Sequence, residues 1–200
     1  MYRPQKNLIY LYQTFQNLDK KAVLDWIYEI ISNYGLSLVS QNGYKFYGCN
    51  SSSGLGEVNR NAFNRLRDDF NQCKIFDYRY YVMLYVMIFY AFNNQIRFNS
   101  AGKFNLPVGK RDFNSRMHSK LSTFIDRIQS KNYKFVCQNF RNFDIEELSE
   151  NNFVYAAPPY LITCATYNEK LYQIFETAFS SELVPHEWRI TCIVQKLTNL

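Results

Sequence analysis

The run from Val82 to Phe92 places the strongest constraint on the fold, because eleven consecutive residues are apolar or aromatic, with Tyr78, Arg79 and Tyr80 just ahead of them. A helix that crosses a bilayer needs about twenty such residues, so this run is too short to span and must be covered by protein. It predicts a buried helix. The 200 residues, 47% hydrophobic and 18% aromatic, supply enough apolar surface for the core of one ordinary domain.

Helical spacing recurs elsewhere. Asn7 to Phe15 reads as a first helix, and a second follows Asp19, with Val23, Ile27, Ile30, Ile31 and Tyr34 on one side until Gly35 stops it. The pattern resumes at Asn59, places Phe63, Leu66 and Phe70 on one face, continues through Tyr80 to Phe92 and breaks at Asn93-Asn94. A further helix carries Met117, Leu121, Phe124, Ile125 and Ile128, with a basic opposite face. Ser40 to Gly56 reads as a loop with a short strand at Tyr44 to Tyr47. Short alternating runs around Asn99-Ser100-Ala101-Gly102 predict a hairpin between Ile96 and Val108. Tyr133 to Cys137 and Phe153 to Ala156 read as buried strands, separated by an acidic turn at Asp144 to Leu148.

Several function classes lack their parts. The five cysteines (Cys49, Cys73, Cys137, Cys164 and Cys192) are odd in number and far apart, which predicts reduced core thiols. His118 and His186 have no metal-type spacing, so they read as a helix-surface and a loop histidine, and no metal is expected. Ser51-Ser52-Ser53-Gly54-Leu55-Gly56 holds only Gly-x-Gly, short of a phosphate loop. The start, Met-Tyr-Arg-Pro-Gln-Lys, has no apolar segment of the secretory kind, so the expectation is an intracellular chain without a membrane partner.

Charge is concentrated. Arg97 to Lys134 holds nine Lys and Arg against Asp112 and Asp126, which makes the segment +7 and leaves −1 for the rest of a chain of net charge +6. Cations interleaved with Phe, Asn and Gly suit phosphate contact, since each neutralised phosphate releases condensed counterions. A solvated basic face is the plainer reading of the same residues.

The second predicted strand runs into Ala157-Pro158-Pro159-Tyr160, at the strand end where open α/β sheets place ligands. This closely resembles the Asp-Pro-Pro-Tyr motif of amino-group DNA methyltransferases. Upstream, Phe92 to Gly109 is similar to the Asn-x-x-x-Arg-x-Asn-x-x-Gly-x-Phe-Asn-x-Pro-x-Gly signature in the target-recognition domain of the Dam-type DNA adenine methyltransferases. Two shorter stretches fit the same family: Asn7 to Tyr12 resembles the helix after its cofactor-binding acid, and Leu66-Arg67-Asp68-Asp69-Phe70-Asn71 resembles its Leu-Arg-x-x-Phe/Tyr-Asn run.

The resemblance implies methyl transfer from S-adenosylmethionine to the exocyclic amino group of adenine in double-stranded DNA, as in restriction-modification. That amino nitrogen has its lone pair delocalised into the ring, so the family's Asp and the neighbouring backbone carbonyl pull on its protons. The prolines aim the carbonyl, and the Tyr stacks on the flipped base. Here Pro158, Pro159 and Tyr160 are kept, and Ala157 stands where the family has Asp; a methyl group accepts no hydrogen bond. The expected loss is about 100-fold or more in rate.

The resemblance further implies DNA contact for Asn93, Arg97, Asn99, Asn105, Lys110 and Arg111, with the Asn and Arg types suited to bidentate base-edge readout. Gly102, Pro107 and Gly109 would set the backbone. Asn139-Phe140 matches the pair that packs on the cofactor adenine, and by residue type alone it reads equally as a loop Asn and a core Phe.

Relatives carry Trp-x-Gly-x-Lys and Phe-x-Gly-x-Gly elements that have no counterpart here, and Tyr2-Arg3-Pro4 stands where an acid should hold the cofactor ribose. The expectation is an α/β fold: an incomplete Rossmann-like methyltransferase domain, truncated at both ends, with an inserted, mainly helical DNA-recognition domain carrying a β-hairpin. Residues 1–39 form a helical part of the catalytic domain, 40–130 the recognition domain and 131–168 the catalytic strands. Residues 169–200 form an unrelated-looking tail, in which Val184-Pro185-His186-Glu187-Trp188 faintly resembles a stretch ahead of the palm in non-long-terminal-repeat reverse transcriptases. A non-catalytic DNA-binding remnant, a chimeric decayed frame, or a chain completed by a complementing partner remain open alternatives.

Overall fold

The computed structural model describes residues 3–138 and two short strand segments, 155–156 and 192–193. Six helices make up the first compact unit, Met1–Cys137: α1 (Arg3–Asn17), α2 (Lys20–Tyr34), α3 (Val39–Phe46), α4 (Gly56–Gln72), α5 (Tyr78–Tyr90) and α6 (Ser115–Gln129).

The apolar run becomes α5, which packs against α1, α2 and α4 and buries Val82, Leu84, Val86, Met87 and Tyr90. A helix apolar on every side finds its place by being surrounded. Its ends are set by polar residues: Asp77 accepts the Tyr80 N–H at 3.1 Å, and the Asn94 amide donates to the Phe89 carbonyl at 2.9 Å. In α2, Asp19 caps Ala22 at 2.8 Å, and Gly35 takes the left-handed conformation that lets Leu36 N–H return to Ile31 O at 2.9 Å. In α6, Asn114 caps Met117, and Leu121, Ile125 and Ile128 face α1 and α2.

One buried polar node ties the unit together. Asn59 accepts the Ser37 N–H at 2.7 Å and donates to the Ser37 hydroxyl at 2.9 Å, while the Tyr90 hydroxyl donates to the Ser37 carbonyl at 2.6 Å. Every polar group of Ser37 is thereby satisfied in the interior, as burial demands. Burial pushes the Tyr90 phenol far above its ordinary range.

Four local expectations are corrected. Residues 39–46 are helical rather than a loop with a strand at 44–47. Tertiary bonds stabilise that turn of chain: Asp112 accepts the Val39 N–H, and the Tyr47 hydroxyl accepts both the Leu38 N–H and the Asn42 amide, each at 2.8 Å. Tyr133 to Cys137 is not a strand, because its carbonyls are taken by side chains of α1: Gln16 donates to Tyr133 O at 2.8 Å and Gln13 to Phe135 O at 2.9 Å. Cys49, Cys73 and Cys137 are free thiols as expected but only half-buried, with Cys73 packed against the core. His118 is half-buried, with Nδ1 2.8 Å from the Tyr28 hydroxyl, rather than a free surface histidine.

The second unit is Gln138–Leu200. Its described part is one antiparallel pair, β1 (Tyr155–Ala156) with β2 (Cys192–Ile193), in the register Tyr155 to Ile193 and Ala156 to Cys192. Asp144 to Leu148, Phe153 and His186 lie outside the described residues.

Candidate nucleic-acid interface

The chain between α5 and α6 leaves the helical core at Ala91 and returns at Gly109, and its two ends are fastened together. Ala91 bridges Val108, Phe92 N–H donates to Pro107 O at 2.9 Å, and Gly109 N–H donates to Tyr90 O at 2.6 Å. A Cβ on Gly109 would lie 2.5 Å from the Ala91 carbonyl oxygen, so only glycine permits this approach.

Further out, Phe98 bridges Phe104, and Asn99 N–H donates to Lys103 O at 2.9 Å around a turn in which Gly102 has φ of 73°. The expected hairpin is thus present only as two isolated bridges, without a laddered strand pair. Side chains nevertheless alternate. Phe98, Phe104 and Leu106 point into the core, where the rings of Phe98 and Phe104 meet edge to face at 5.6 Å, while Arg97, Asn99, Lys103 and Asn105 are exposed.

Helix α4 braces this loop from beneath. Asn71 accepts the Phe104 N–H at 2.8 Å and donates to the Phe104 carbonyl at 3.0 Å, so one amide side chain does for that peptide what a neighbouring strand would. Arg67 donates to Leu106 O at 3.2 Å, and Leu66 and Phe70 are buried. The sequence singles out this Leu-Arg-x-x-Phe-Asn run without revealing its task, because its partners lie 33 and 39 residues away.

All six residues expected to touch a partner here, Asn93, Arg97, Asn99, Asn105, Lys110 and Arg111, are exposed. Several already have a structural bond. Arg97 uses Nε and one Nη to hold Asn105 Oδ1 and O, at 2.9 and 3.0 Å, leaving three N–H groups free. Asn99 Oδ1 accepts the Lys103 N–H at 2.9 Å. With their amide oxygens engaged, Asn99 and Asn105 offer a partner mainly N–H donors. Asn93 has a positive φ of 53°, a strained position for a residue other than glycine, and its amide stands in solvent.

Electrostatics reinforce the surface. None of the nine cations between Arg97 and Lys134 makes an ion pair with a carboxylate among the described residues; Asp126 is held by Lys20 at 2.7 Å. Asp112 is only 4% exposed and turned inward, and burial raises its carboxyl above the ordinary range. An open cleft of about 660 Å³ lies beside the turn, lined by Lys6, Tyr10, Asn71, Tyr80, Gly102 and Lys103.

Asn139, Phe140, Ala157, Pro158, Pro159 and Tyr160 lie outside the described residues. The first turn of α1 contains no acidic residue. Among them, no group of three or more metal-ligating side chains occurs, and no helix is long and apolar enough to cross a membrane.

Comparison with known proteins decides the family. The sequence model of the D12 class N6 adenine-specific DNA methyltransferases matches residues 9–186, most of the chain and past Asn168. The chain belongs to this family. Type II methyltransferase M.FokI of Planomicrobium okeanokoites is 32% identical over 165 residues, covering 80% of this chain and 22% of the relative. Modification methylase StsI of Streptococcus sanguinis is 34% identical over 119 residues, 58% of this chain and 17% of the relative. The DNA adenine methylase of Salmonella typhi is 28% identical over 111 residues, 56% of this chain and 38% of the relative. The chain therefore spans well under half the length of these relatives. Membership implies a Rossmann-like methyltransferase fold, and the described part of this member is mainly helical.

Proposed function

We propose that this family member binds duplex DNA through the 92–108 loop and the cations around it, as the recognition part of an adenine-specific DNA methyltransferase, with methyl transfer impaired by Ala157. The observation that carries the proposal is the braced loop itself: it exposes Asn93, Arg97, Asn99 and Asn105, followed by Lys110 and Arg111, within a segment whose cations have no carboxylate partner among the described residues. Such a surface offers N–H donors and unscreened positive charge, which phosphate oxygens and base-edge acceptors accept.

Residues 40–130 act as the recognition domain in this reading, and Ala157 to Tyr160 belong to the catalytic part. The relatives' names, a type II methyltransferase and a modification methylase, support DNA methylation of the restriction-modification kind. S-adenosylmethionine is the methyl donor such chemistry requires. Asn139 and Phe140 are the residues that would pack on its adenine in this reading. The Ala157 side chain supplies no acceptor for the adenine amino protons, which leaves binding as the function the residues support best.

Fluorescence anisotropy with labelled duplex DNA tests the reading. Binding should weaken steeply with salt, and Arg97→Ala or Arg111→Ala should each weaken it by about 1–3 kcal/mol. Absence of binding, or affinity indifferent to salt, would overturn it. Calorimetric titration with S-adenosylmethionine separates enzyme from binder: no heat up to millimolar cofactor is expected, and clear binding would restore the catalytic reading.

A further inference from the structure

Helix α6 carries a stripe that the loop does not account for. Arg116, Lys120, Thr123 and Arg127 fall at intervals of four, three and four residues, which puts them on one face of a helix turning every 3.6 residues. All four are exposed, opposite the face formed by Leu121, Ile125 and Ile128. The side chains of Arg116, Lys120 and Arg127 make no ion pair or hydrogen bond among the described residues, and the one acid of α6, Asp126, is neutralised by Lys20. Three free cations and a hydroxyl, with no intervening acid, are unlike the mixed-sign pattern of an ordinary solvated helix face.

The stripe extends about 17 Å along the helix, the length of roughly five base pairs of duplex. Lys110 and Arg111, both exposed, lie a few residues before α6 in the chain, between the loop and the stripe. We infer that α6 is a second DNA contact, a sequence-independent track for the phosphate backbone that works alongside the recognition loop. This rests on the DNA-binding reading above. The chemistry favours phosphate over bases: exposed, unbraced Lys and Arg side chains on a helix surface neutralise charge without fixing a base-edge geometry.

The test is a triple variant, Arg116→Gln, Lys120→Gln and Arg127→Gln, in the full chain. The probe is a random-sequence duplex two helical turns long. Three lost phosphate contacts should make the slope of log affinity against log salt shallower by about 2.7, so between 50 and 200 mM salt the variant loses about 40-fold less affinity than the parent. A control, Lys21→Gln with Arg60→Gln, removes two cations already paired with Asp25 and Glu57 and should leave the slope unchanged. If the parent binds and the triple variant keeps the parental slope, the α6 track is wrong while the loop reading stands. If the parent binds no DNA, the underlying reading itself is overturned. Thermal unfolding checks that the triple variant is folded; should it not be, Lys120→Gln alone must shift the slope by about 0.9, and an unchanged slope refutes the track.

Discussion

Replacing Asn71 by Ala should loosen the recognition loop without touching any residue that faces a partner. The side chain makes two hydrogen bonds to the peptide of Phe104, a residue only 1% exposed, so truncation strips both a donor and an acceptor of their partners. Each unsatisfied group costs about 1–3 kcal/mol, and partial access to water at this half-buried site brings the sum to about 2–3 kcal/mol. A domain of this size loses roughly 4 °C of melting temperature per kcal/mol, so a fall of about 10 °C is expected by calorimetry. Amide exchange at Phe104 should accelerate. If DNA must then order the loop as it binds, affinity drops by about 30- to 150-fold. Asn71→Asp keeps the acceptor for Phe104 N–H and loses the donor, and should fall between the two. A melting point within about 2 °C of the parent, together with unchanged affinity, would refute the bracing argument.

Gly109→Ala forces a methyl group onto the Ala91 carbonyl and should destabilise the fold by about 1–3 kcal/mol, measured by urea unfolding. Asp112 is held by burial above its ordinary value of 3.8, so the folded state retains that proton more tightly than the unfolded chain, and this contribution to stability declines as pH rises from about 4. Asp112→Asn keeps an acceptor for Val39 N–H without the buried charge; it should flatten that decline and be at least as stable at neutral pH, and a variant less stable by more than about 1 kcal/mol would count against the argument. Ala157→Asp restores the missing carboxylate but supplies no cofactor pocket, so no methyl transfer from labelled S-adenosylmethionine is expected; recovered activity would place the whole defect at that one position.

The helices were legible because their signals are local: spacing of apolar residues, Asp19 and Gly35 at the ends of α2, and the uninterrupted run that became α5. Helix α3 was not, because Gly43, with φ of 73° and ψ of 162°, sits inside it and the bonds that hold it come from Asp112 and Tyr47. Tyr133 to Cys137 misled for a related reason: an apolar alternation looks the same whether its carbonyls meet a strand or two glutamines from α1. At the interface, family resemblance pointed to side chains that are exposed. It was silent on their mutual engagement, such as Arg97 with Asn105, and on the brace from Asn71, since neither follows from residue type or spacing.

Fastening the loop at Ala91 and Gly109 divides its positions between two owners. Phe98, Phe104 and Leu106 belong to the interior and answer to packing, while the alternating Arg97, Asn99, Lys103 and Asn105 are exposed and bond to one another, Arg97 to Asn105 and Lys103 N–H to Asn99. The base is closed by backbone bonds between Tyr90, Phe92, Pro107 and Gly109, where the chain leaves α5. In the DNA-binding reading proposed above, specificity would change through these alternate outward residues, as type on a fixed block, with the helical body left as it was.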